Sequence, residues 1–235
     1  MEEESKFAIH AAAREGKVAT VEALLRDNPK LANLKDDDGR LPIHWAASSN
    51  QLEIVSILVQ QKGFDPDIQD DSGWTPLMIA ASVKEGEKIV DLLLSRGADV
   101  NQTNHSGQTV LHFVASKNNL DLARKLFEQK PPASARVRDK RGQYALHRAA
   151  AVGSVPMINL LLRHRSPLNA TDNAGYTALH HAVAEGQGDA AVALLKAGAE
   201  VDKKDSDGNL ALDLAPDKQV RKYIERMAEQ EGIDL

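Results

Sequence analysis

The 235-residue sequence contains no cysteine. Disulfide bridges, thiolate zinc sites and a cysteine nucleophile are therefore excluded. Aromatic residues make up only 4% of the chain, so its core has to be built mainly from Leu, Ala, Val and Ile. No stretch approaches the ~18 consecutive apolar residues of a membrane-spanning helix, and the acidic N-terminal residues do not resemble an export signal. We therefore expect a folded protein with no membrane association.

Charge is unevenly distributed along the chain, whose net charge is −5 at pH 7. Residues 1–115 carry 18 acidic and 11 basic side chains, whereas residues 117–165 carry 11 basic and 3 acidic ones. A surface divided in this way favours a partner of complementary charge. Solvated faces with no binding role explain the same pattern equally well.

A glycine returns at a nearly constant interval through the sequence. Successive copies are separated by 34, 34, 35, 33 and 33 residues and stand at Gly39, Gly73, Gly107, Gly142, Gly175 and Gly208. Each is followed by a similar string, such as Arg40-Leu-Pro-Ile-His-Trp-Ala-Ala or Tyr176-Thr-Ala-Leu-His-His-Ala-Val. The N-terminal string Phe7-Ala-Ile-His-Ala-Ala-Ala fits as a seventh copy that lacks the glycine turn.

A period near 33 residues with a Thr-Pro-Leu-His type of string resembles the ankyrin-repeat family over nearly the whole chain. The resemblance implies an all-α solenoid of about seven repeats, each a β-turn followed by two antiparallel helices. We predict one domain over residues 1–235, with an N-terminal capping repeat (1–38), five internal repeats (39–207) and a C-terminal capping repeat (208–235). In the last repeat, Ile224 and Met227 are expected to face inward.

The residues that suggest chemistry fit better as parts of the repeat. His10, His44, His112, His147 and His180 share one repeat position, and side chains about 34 residues apart along a stack do not converge on a metal ion. We expect each imidazole to bridge backbone groups of the turns. Gly186-Gln-Gly188-Asp-Ala-Ala191 matches the dinucleotide fingerprint loosely, but it links two predicted helices and follows no strand.

A basic run at Arg136, Arg138, Lys140 and Arg141 raises the question of nucleic acid. It lacks interleaved aromatic residues, and the chain is acidic overall, so a protein contact or a solvated loop is the better interpretation. We therefore predict no catalytic residue, no metal site, no cofactor and no nucleic-acid partner. The protein is expected not to be an enzyme.

Positions that vary between the copies are the candidates for binding. They follow the turn glycine (Arg40, Trp74) and the repeat histidine (Trp45, Ile79, Phe113, Arg148). Tryptophan and arginine are the residue types most enriched at binding hot spots. In ankyrin proteins such positions look onto the concave side, where we also expect the turn-tip acids and Lys117. The predicted protein-binding set is Asp36, Asp38, Arg40, Trp45, Asp70, Asp71, Trp74, Ile79, Phe113, Lys117 and Arg148.

Several longer strings resemble the gankyrin family, and its fungal members most closely. They include Lys35-Asp-Asp-Asp-Gly-Arg-Leu-Pro-Ile-His-Trp, Asp70-Asp-Ser-Gly-Trp-Thr-Pro and Leu146-His-Arg-Ala-Ala-Ala-Val-Gly-Ser. The resemblance implies a chaperone for assembly of the proteasome regulatory particle, a monomer when free, found in cytoplasm and nucleus. Its expected partner is the C-terminal domain of a base ATPase subunit. The retinoblastoma-binding Leu-x-Cys-x-Glu motif of mammalian members is absent, because the chain has no cysteine.

An ankyrin protein can also serve a different client, because a fold does not determine a function. The alternative is an adaptor or inhibitor for another partner, such as a kinase or a transcription regulator.

Overall fold

The computed structural model describes residues 7–235. The acidic segment before Phe7, for which the sequence predicts no export signal, lies outside the described residues. The contacts divide the chain between His105 and Ser106 into two compact units, called unit 1 and unit 2 below.

Unit 1 consists of three helix pairs. A short 3-10 helix at Pro29–Asn33 follows the first pair. The helices are α1 (Ala8–Glu15), α2 (Val18–Asp27), α3 (Pro42–Ser48), α4 (Leu52–Leu58), α5 (Pro76–Ser82) and α6 (Glu87–Ser95).

Unit 2 contains three further pairs and a terminal helix. A 3-10 helix at Ala211–Leu214 takes the place of a first helix in the last repeat. The helices are α7 (Val110–Ser116), α8 (Leu120–Phe127), α9 (Ala145–Ala151), α10 (Val155–Arg163), α11 (Ala178–Ala184), α12 (Gly188–Lys196) and α13 (Lys218–Gln230). Across the described residues the secondary structure is helical with no strand, so the predicted all-α class is confirmed. None of these helices is both long and apolar enough to cross a bilayer.

The first helix of each internal repeat is short and closely packed. Proline begins α3 and α5, where the missing N–H costs little because the first helical N–H groups have no partner within the helix. First helices pack on one another, α3 on α1 and α5 in unit 1, and α9 on α7 and α11 in unit 2. Ala46, Ala149 and Ala182 are fully buried there, and their small side chains allow the close approach.

Second helices bury one apolar stripe each. In α6 the stripe contains Ile89 and Leu93, and in α10 it contains Ile158 and Leu161, all with no exposed surface. Their spacing of three or four residues puts them on one face of a helix. Burying such a side chain contributes about 1.5–3 kcal/mol, so these stripes supply much of the stability of each unit.

Successive turns are joined by one backbone hydrogen bond per repeat. Asp71 N–H donates to Asp38 O in unit 1, and Asn173 N–H donates to Arg141 O in unit 2, over 3.0 and 2.9 Å. The turn glycines adopt positive φ, which side chains other than glycine tolerate poorly. A Cβ at Gly175 would also lie 2.8 Å from the backbone nitrogen of Ser206 in the next turn. Glycine therefore serves both the turn and the close approach of its neighbour.

The repeat histidines bridge backbone groups, as the sequence predicts. His44 Nδ1 accepts from Leu41 N–H at 3.0 Å, and its Nε2 lies 3.2 Å from Ile68 O in the next loop. In unit 2, Nδ1 of His112, His147 and His180 likewise accepts a backbone N–H three residues earlier, and Nε2 lies against a carbonyl oxygen of the next repeat, at Gln143, Ala170 and Asn209. Burial lowers the pKa of all four, that of His147 to about 4. The neutral ring is thus favoured, which leaves Nδ1 free to accept.

The C-terminal repeat departs from the prediction at one residue. Ile224 is fully buried as expected, but its buried companion is Ala228, one turn further along α13. Met227 is only half-buried. Its position three residues after Ile224 puts it at the edge of the buried stripe, whereas the residue four positions on lies directly above Ile224.

Candidate protein interface

In three of the repeats, a carboxylate at the start of the turn orients the side chain at the variable position. Asp36, Asp139 and Asp172 each accept two backbone N–H groups of their own turn on Oδ1. The second oxygen binds the side chain nine residues further along, which occupies the variable position after the repeat histidine. These partners are Trp45 Nε1 at 2.7 Å, an Arg148 nitrogen at 3.0 Å and His181 Nε2 at 2.9 Å. The turn therefore sets the direction of the variable side chain.

In unit 1 this arrangement produces what we call the Trp45 cluster, consisting of Arg14, Asp36, Arg40, Trp45 and Asp70. The guanidinium carbons of Arg14 and Arg40 lie 5.6 and 5.1 Å from the centre of the indole ring, within cation–π range. Arg40 Nε also donates to Asp70 Oδ2 at 3.1 Å. Trp45 keeps part of its surface exposed. The result is a preorganised aromatic and cationic surface.

A cavity of about 270 Å³ opens beside Trp45. Its walls are Phe7, His10, Ala11, Arg14, Trp45 and the turn-tip acids Asp36, Asp37 and Asp38. Asp37 and Asp38 are exposed. Burial acts to raise the pKa of Asp36, but the indole N–H and the backbone amides of Arg40 and Asp38 outweigh it and lower that pKa. The cavity wall is therefore negatively charged at neutral pH.

Two predicted contact residues in unit 1 are buried. Asp70 is 5% exposed, and its oxygens bind Ser72 N–H, Trp74 N–H and Arg40 Nε. Its side chain positions Arg40. Ile79 is 6% exposed, because α5 is buried from Pro76 to Ala81. The expectation that Asp70 and Ile79 lie on an open surface is wrong.

The other predicted residues of unit 1 remain accessible. Asp71, at the next turn tip, is exposed, and Trp74 is partly exposed. Trp74 N–H is held by Asp70 Oδ1 at 2.9 Å. The carboxylate that binds the Arg40 side chain thus also holds the backbone of Trp74.

The predicted residues of unit 2 differ in how far they are exposed and in whether they have an ion-pair partner. Lys117 is exposed at the end of α7, and Phe113 is partly exposed on the same helix. The Arg148 side chain is 23% exposed and forms an ion pair with Asp139, whose side chain is 1% exposed. Arg148 is therefore presented in one direction, whereas Lys117 has room to move.

A second group, which we call the His181 cluster, forms in unit 2 from residues outside the predicted protein-binding set. It contains Gln143, His147, Asp172, Tyr176 and His181. Asp172 Oδ2 accepts from Gln143 Nε2 at 3.1 Å and contacts His181 Nε2 at 2.9 Å. The His181 ring lies edge-on to His147 and Tyr176, with ring centres 5.5 Å apart in both pairs. The constant nine-residue spacing from the turn aspartate is the sequence signal for it.

Electrostatics keeps the central carboxylate of the His181 cluster ionised. Burial acts to raise the pKa of Asp172, but hydrogen bonds from Gln143, His181 and two backbone amides outweigh it and lower the pKa. Within the part of the chain that the structure describes, no group of His, Asp and Glu side chains has an arrangement able to hold a metal ion.

Comparison with known proteins identifies the repeat. The family model for three copies of the ankyrin repeat matches residues 9–104, 60–131, 82–166 and 111–205. Among solved structures, the ankyrin domain of human ASB11 is similar, with a TM-score of 0.78 and 19% identity over 93% of this chain and 96% of that one. The ankyrin domain of Bcl-3 gives 0.72 and 24% identity over 92% and 97%. At these identities the likeness shows the fold alone.

Two curated fungal proteins are related in sequence. A Saccharomyces cerevisiae protein named as a probable 26S proteasome regulatory subunit p28 is 42% identical over 115 residues, which is 48% of this chain and 50% of that protein. An ankyrin repeat-containing protein of Schizosaccharomyces pombe is 39% identical over 120 residues, 51% of each chain. The match to each relative therefore spans about half of that relative's length.

Proposed function

Because the chain belongs to the ankyrin-repeat family, we propose that it acts by binding another protein, as a non-catalytic chaperone for assembly of the proteasome regulatory particle. The relationship to a yeast proteasome regulatory subunit supports this function. The proposed partner is the C-terminal helical domain of one ATPase subunit of the base. While bound, the chaperone hinders premature docking of the base on the core particle, and it leaves when assembly is complete. It is a monomer when free and works in cytoplasm and nucleus.

The Trp45 cluster is the observation that carries this proposal. Asp36 holds the partly exposed Trp45 and Asp70 holds Arg40, while Arg14 lies against the indole ring. Holding these long side chains in the free protein reduces the ordering cost at binding. Tryptophan and arginine anchors of this type often contribute ~2 kcal/mol or more each.

Charge around the anchors defines the partner. The turn tips of unit 1 present exposed Asp37, Asp38 and Asp71, which favour basic groups on the ATPase domain. Lys117 and Arg148 of unit 2 favour acidic groups. Because exposed charges are screened by salt, the association is expected to weaken as ionic strength rises.

Calorimetric titration of the chain with the isolated C-terminal domain of each base ATPase tests the proposal. We expect one domain to bind, Trp45→Ala to weaken it about 30-fold and Arg40→Ala about tenfold. Arg26→Ala is the matched control, because Arg26 is an exposed arginine on α2 of the same unit; it is expected to change affinity less than about twofold.

Absence of binding to every domain would contradict the proposal, as would equal effects of Arg40→Ala and Arg26→Ala. Recovering the chain from cell extract and identifying the proteins that copurify with it distinguishes the chaperone from the alternative, an adaptor for another client. Base subunits in the recovered material support the chaperone, whereas a kinase or transcription regulator without base subunits supports the adaptor.

A further inference from the structure

A ladder of polar side chains links the loops that follow the second helices. Asp67 Oδ1 accepts Asp99 N–H at 2.8 Å in unit 1, and Asn169 Oδ1 accepts Glu200 N–H at 3.0 Å in unit 2. Each acceptor stands three residues before the aspartate of its turn. The ladder therefore uses Asp or Asn at one repeat position and a free backbone N–H in the next repeat.

One repeat of unit 2 breaks this ladder and replaces it with a cation. Arg136 stands three residues before Asp139, at the acceptor position, and the matching position in the next repeat is Pro167, which has no N–H to donate. An Arg136 guanidinium nitrogen donates instead to Arg165 O at 3.2 Å. The structural link is kept, but two arginines now lie beside each other.

The backbone conformation of Arg165 is a second, independent indication that the chain keeps a positive charge at this place. Its φ is +63°, in the left-handed region, and the same repeat position is glycine in three other copies, Gly63, Gly97 and Gly198, with φ of +80°, +86° and +92°. Glycine adopts this conformation without strain, whereas arginine does not. The chain thus keeps a positive charge where its own repeat pattern places a residue better suited to the backbone.

Few acidic residues accompany these cations in the sequence. Lys130, Arg136, Arg163 and Arg165 are exposed, and none of them forms an ion pair with any residue in the described range. Between residues 122 and 171 the acidic residues are Glu128 and Asp139, and Asp139 is buried and paired with Arg148. Burial lowers the pKa of His164, and the positive charge of Arg163 lowers it further. The second effect is the one expected on a positively charged surface.

We propose that Lys130, Arg136, Arg163 and Arg165 form a second docking surface, the Arg136 surface, that binds an acidic polypeptide segment. It is built at the ends of second helices and in the loops after them. The surface proposed for the ATPase domain consists instead of turn tips and first helices. The Arg136 surface therefore shares no residue with the surface proposed for that domain.

The observations favour an acidic peptide over a nucleic acid. Single-stranded nucleic acids need exposed rings on which bases stack. Two rings lie at this place: Phe127, which is 8% exposed, and the exposed His164, whose centre lies 3.7 Å away and one face of which is occupied by stacking on Phe127. The net charge of −5 also opposes a long polyanion. A short Glu-rich or Asp-rich segment needs only local charge complementarity.

Fluorescence anisotropy with the full chain tests the proposal. The probe is a labelled twelve-residue peptide, Glu-Glu-Ser-Gly repeated three times. A labelled twelve-nucleotide oligo-dT, titrated separately, tests the alternative partner, a nucleic acid. The double variant Arg136→Asn with Arg165→Gly restores the residue types of the other repeats. Lys218→Ala with Lys222→Ala is the matched control, since it removes two exposed cations of the same unit on α13.

We expect the Arg136→Asn and Arg165→Gly pair to weaken peptide binding about tenfold and the control pair less than about twofold. Equal losses in the two variants, or no binding by the wild type, would overturn the proposal. Oligo-dT binding as tight as peptide binding, with the same dependence on Arg136, would overturn the choice of partner.

Two further measurements keep the result decisive. If the double variant does not fold, amide NMR shifts of the wild-type chain on peptide addition replace it. Shifts at residues 130–137 and 163–169 support the surface, and shifts confined to other segments contradict it. Titration of the double variant with the ATPase domain, expected to match the wild type, separates failure of this inference from failure of the proposed function.

Discussion

Trp45 and Asp36 are joined by a hydrogen bond of 2.7 Å from the indole nitrogen to the carboxylate. Their separation of nine positions brings the first helix of the repeat back over its own turn. Asp139 with Arg148 and Asp172 with His181 repeat the relationship with different side chains. One turn design thus presents an indole, a guanidinium or an imidazole, and substitution at the variable position changes the surface without changing the turn.

Asp70→Asn is expected to free Arg40 while leaving the turn intact. The amide oxygen still accepts Ser72 and Trp74 N–H, but the amide nitrogen cannot accept from Arg40 Nε. Because Arg40 is 29% exposed and can be rehydrated, we expect urea unfolding to show a loss of about 1 kcal/mol. Asp71→Asn, an exposed neighbour with the same charge change, is the control and is expected to stay within about 0.5 kcal/mol. Equal losses in the two variants would contradict this account of Arg40.

Asp139 and Arg148 are expected to be energetically coupled. Arg148→Ala leaves one oxygen of a carboxylate with a 1% exposed side chain without its cation, at a cost of about 1–3 kcal/mol. Asp139→Asn removes the charge but keeps the oxygen that accepts Arg141 and Gln143 N–H. In a double-mutant cycle by urea unfolding we expect a coupling of about 1 kcal/mol. Strict additivity would show that the pair contributes nothing as a pair.

Periodicity explains why the helix pairs and the histidine bridges were predictable. A position repeated about every 34 residues has the same neighbours in each copy, so one physical role accounts for all copies. Periodicity does not predict whether a side chain at a variable position is exposed, because that position differs from copy to copy. Ile79 and Trp45 share a column, yet Ile79 is buried and Trp45 is partly exposed, because each depends on what the adjacent repeat places over it. The role of Asp70 was hidden for the same reason, since its partner Arg40 comes from the preceding repeat.

Stability is expected to fall as the pH drops from neutral to about 5. Burial lowers the pKa of His147 to about 4, whereas an unfolded histidine titrates near 6.5. Between these values the unfolded chain binds a proton that the folded chain excludes, so the free energy of unfolding decreases as pH falls. His147 alone accounts for about 2 kcal/mol at pH 5. The pKa values of His44, His112 and His180 are shifted in the same direction and add to the effect.

Urea unfolding at pH 7.5, 6 and 5 measures this dependence, and a constant free energy over that range would refute it. His147→Gln is less stable at pH 7.5, because the Nδ1 contact with Tyr144 N–H is lost. It is expected to show a smaller change with pH. The lowered pKa values of Asp36 and Asp172 contribute stability that is present at neutral pH and is lost only as the pH falls through the ordinary carboxyl pKa of ~3.9 toward the folded value, so they add little change between pH 7.5 and 5.

Gly175→Ala and Gly208→Ala are expected to separate backbone strain from crowding. Both glycines adopt positive φ, +80° and +87°, so alanine pays a conformational cost of about 1 kcal/mol at either site. At Gly175 the new Cβ would also lie 2.8 Å from Ser206 N and 2.9 Å from Asp205 Cα, which are backbone atoms of the next turn. At Gly208, in the last turn, no atom lies within 4 Å of the new Cβ. We therefore expect thermal and urea unfolding to show a loss of about 1 kcal/mol for Gly208→Ala and about 2–4 kcal/mol for Gly175→Ala. Equal losses would mean that the turns of adjacent repeats are not held in close contact, and that the glycine serves its own turn only.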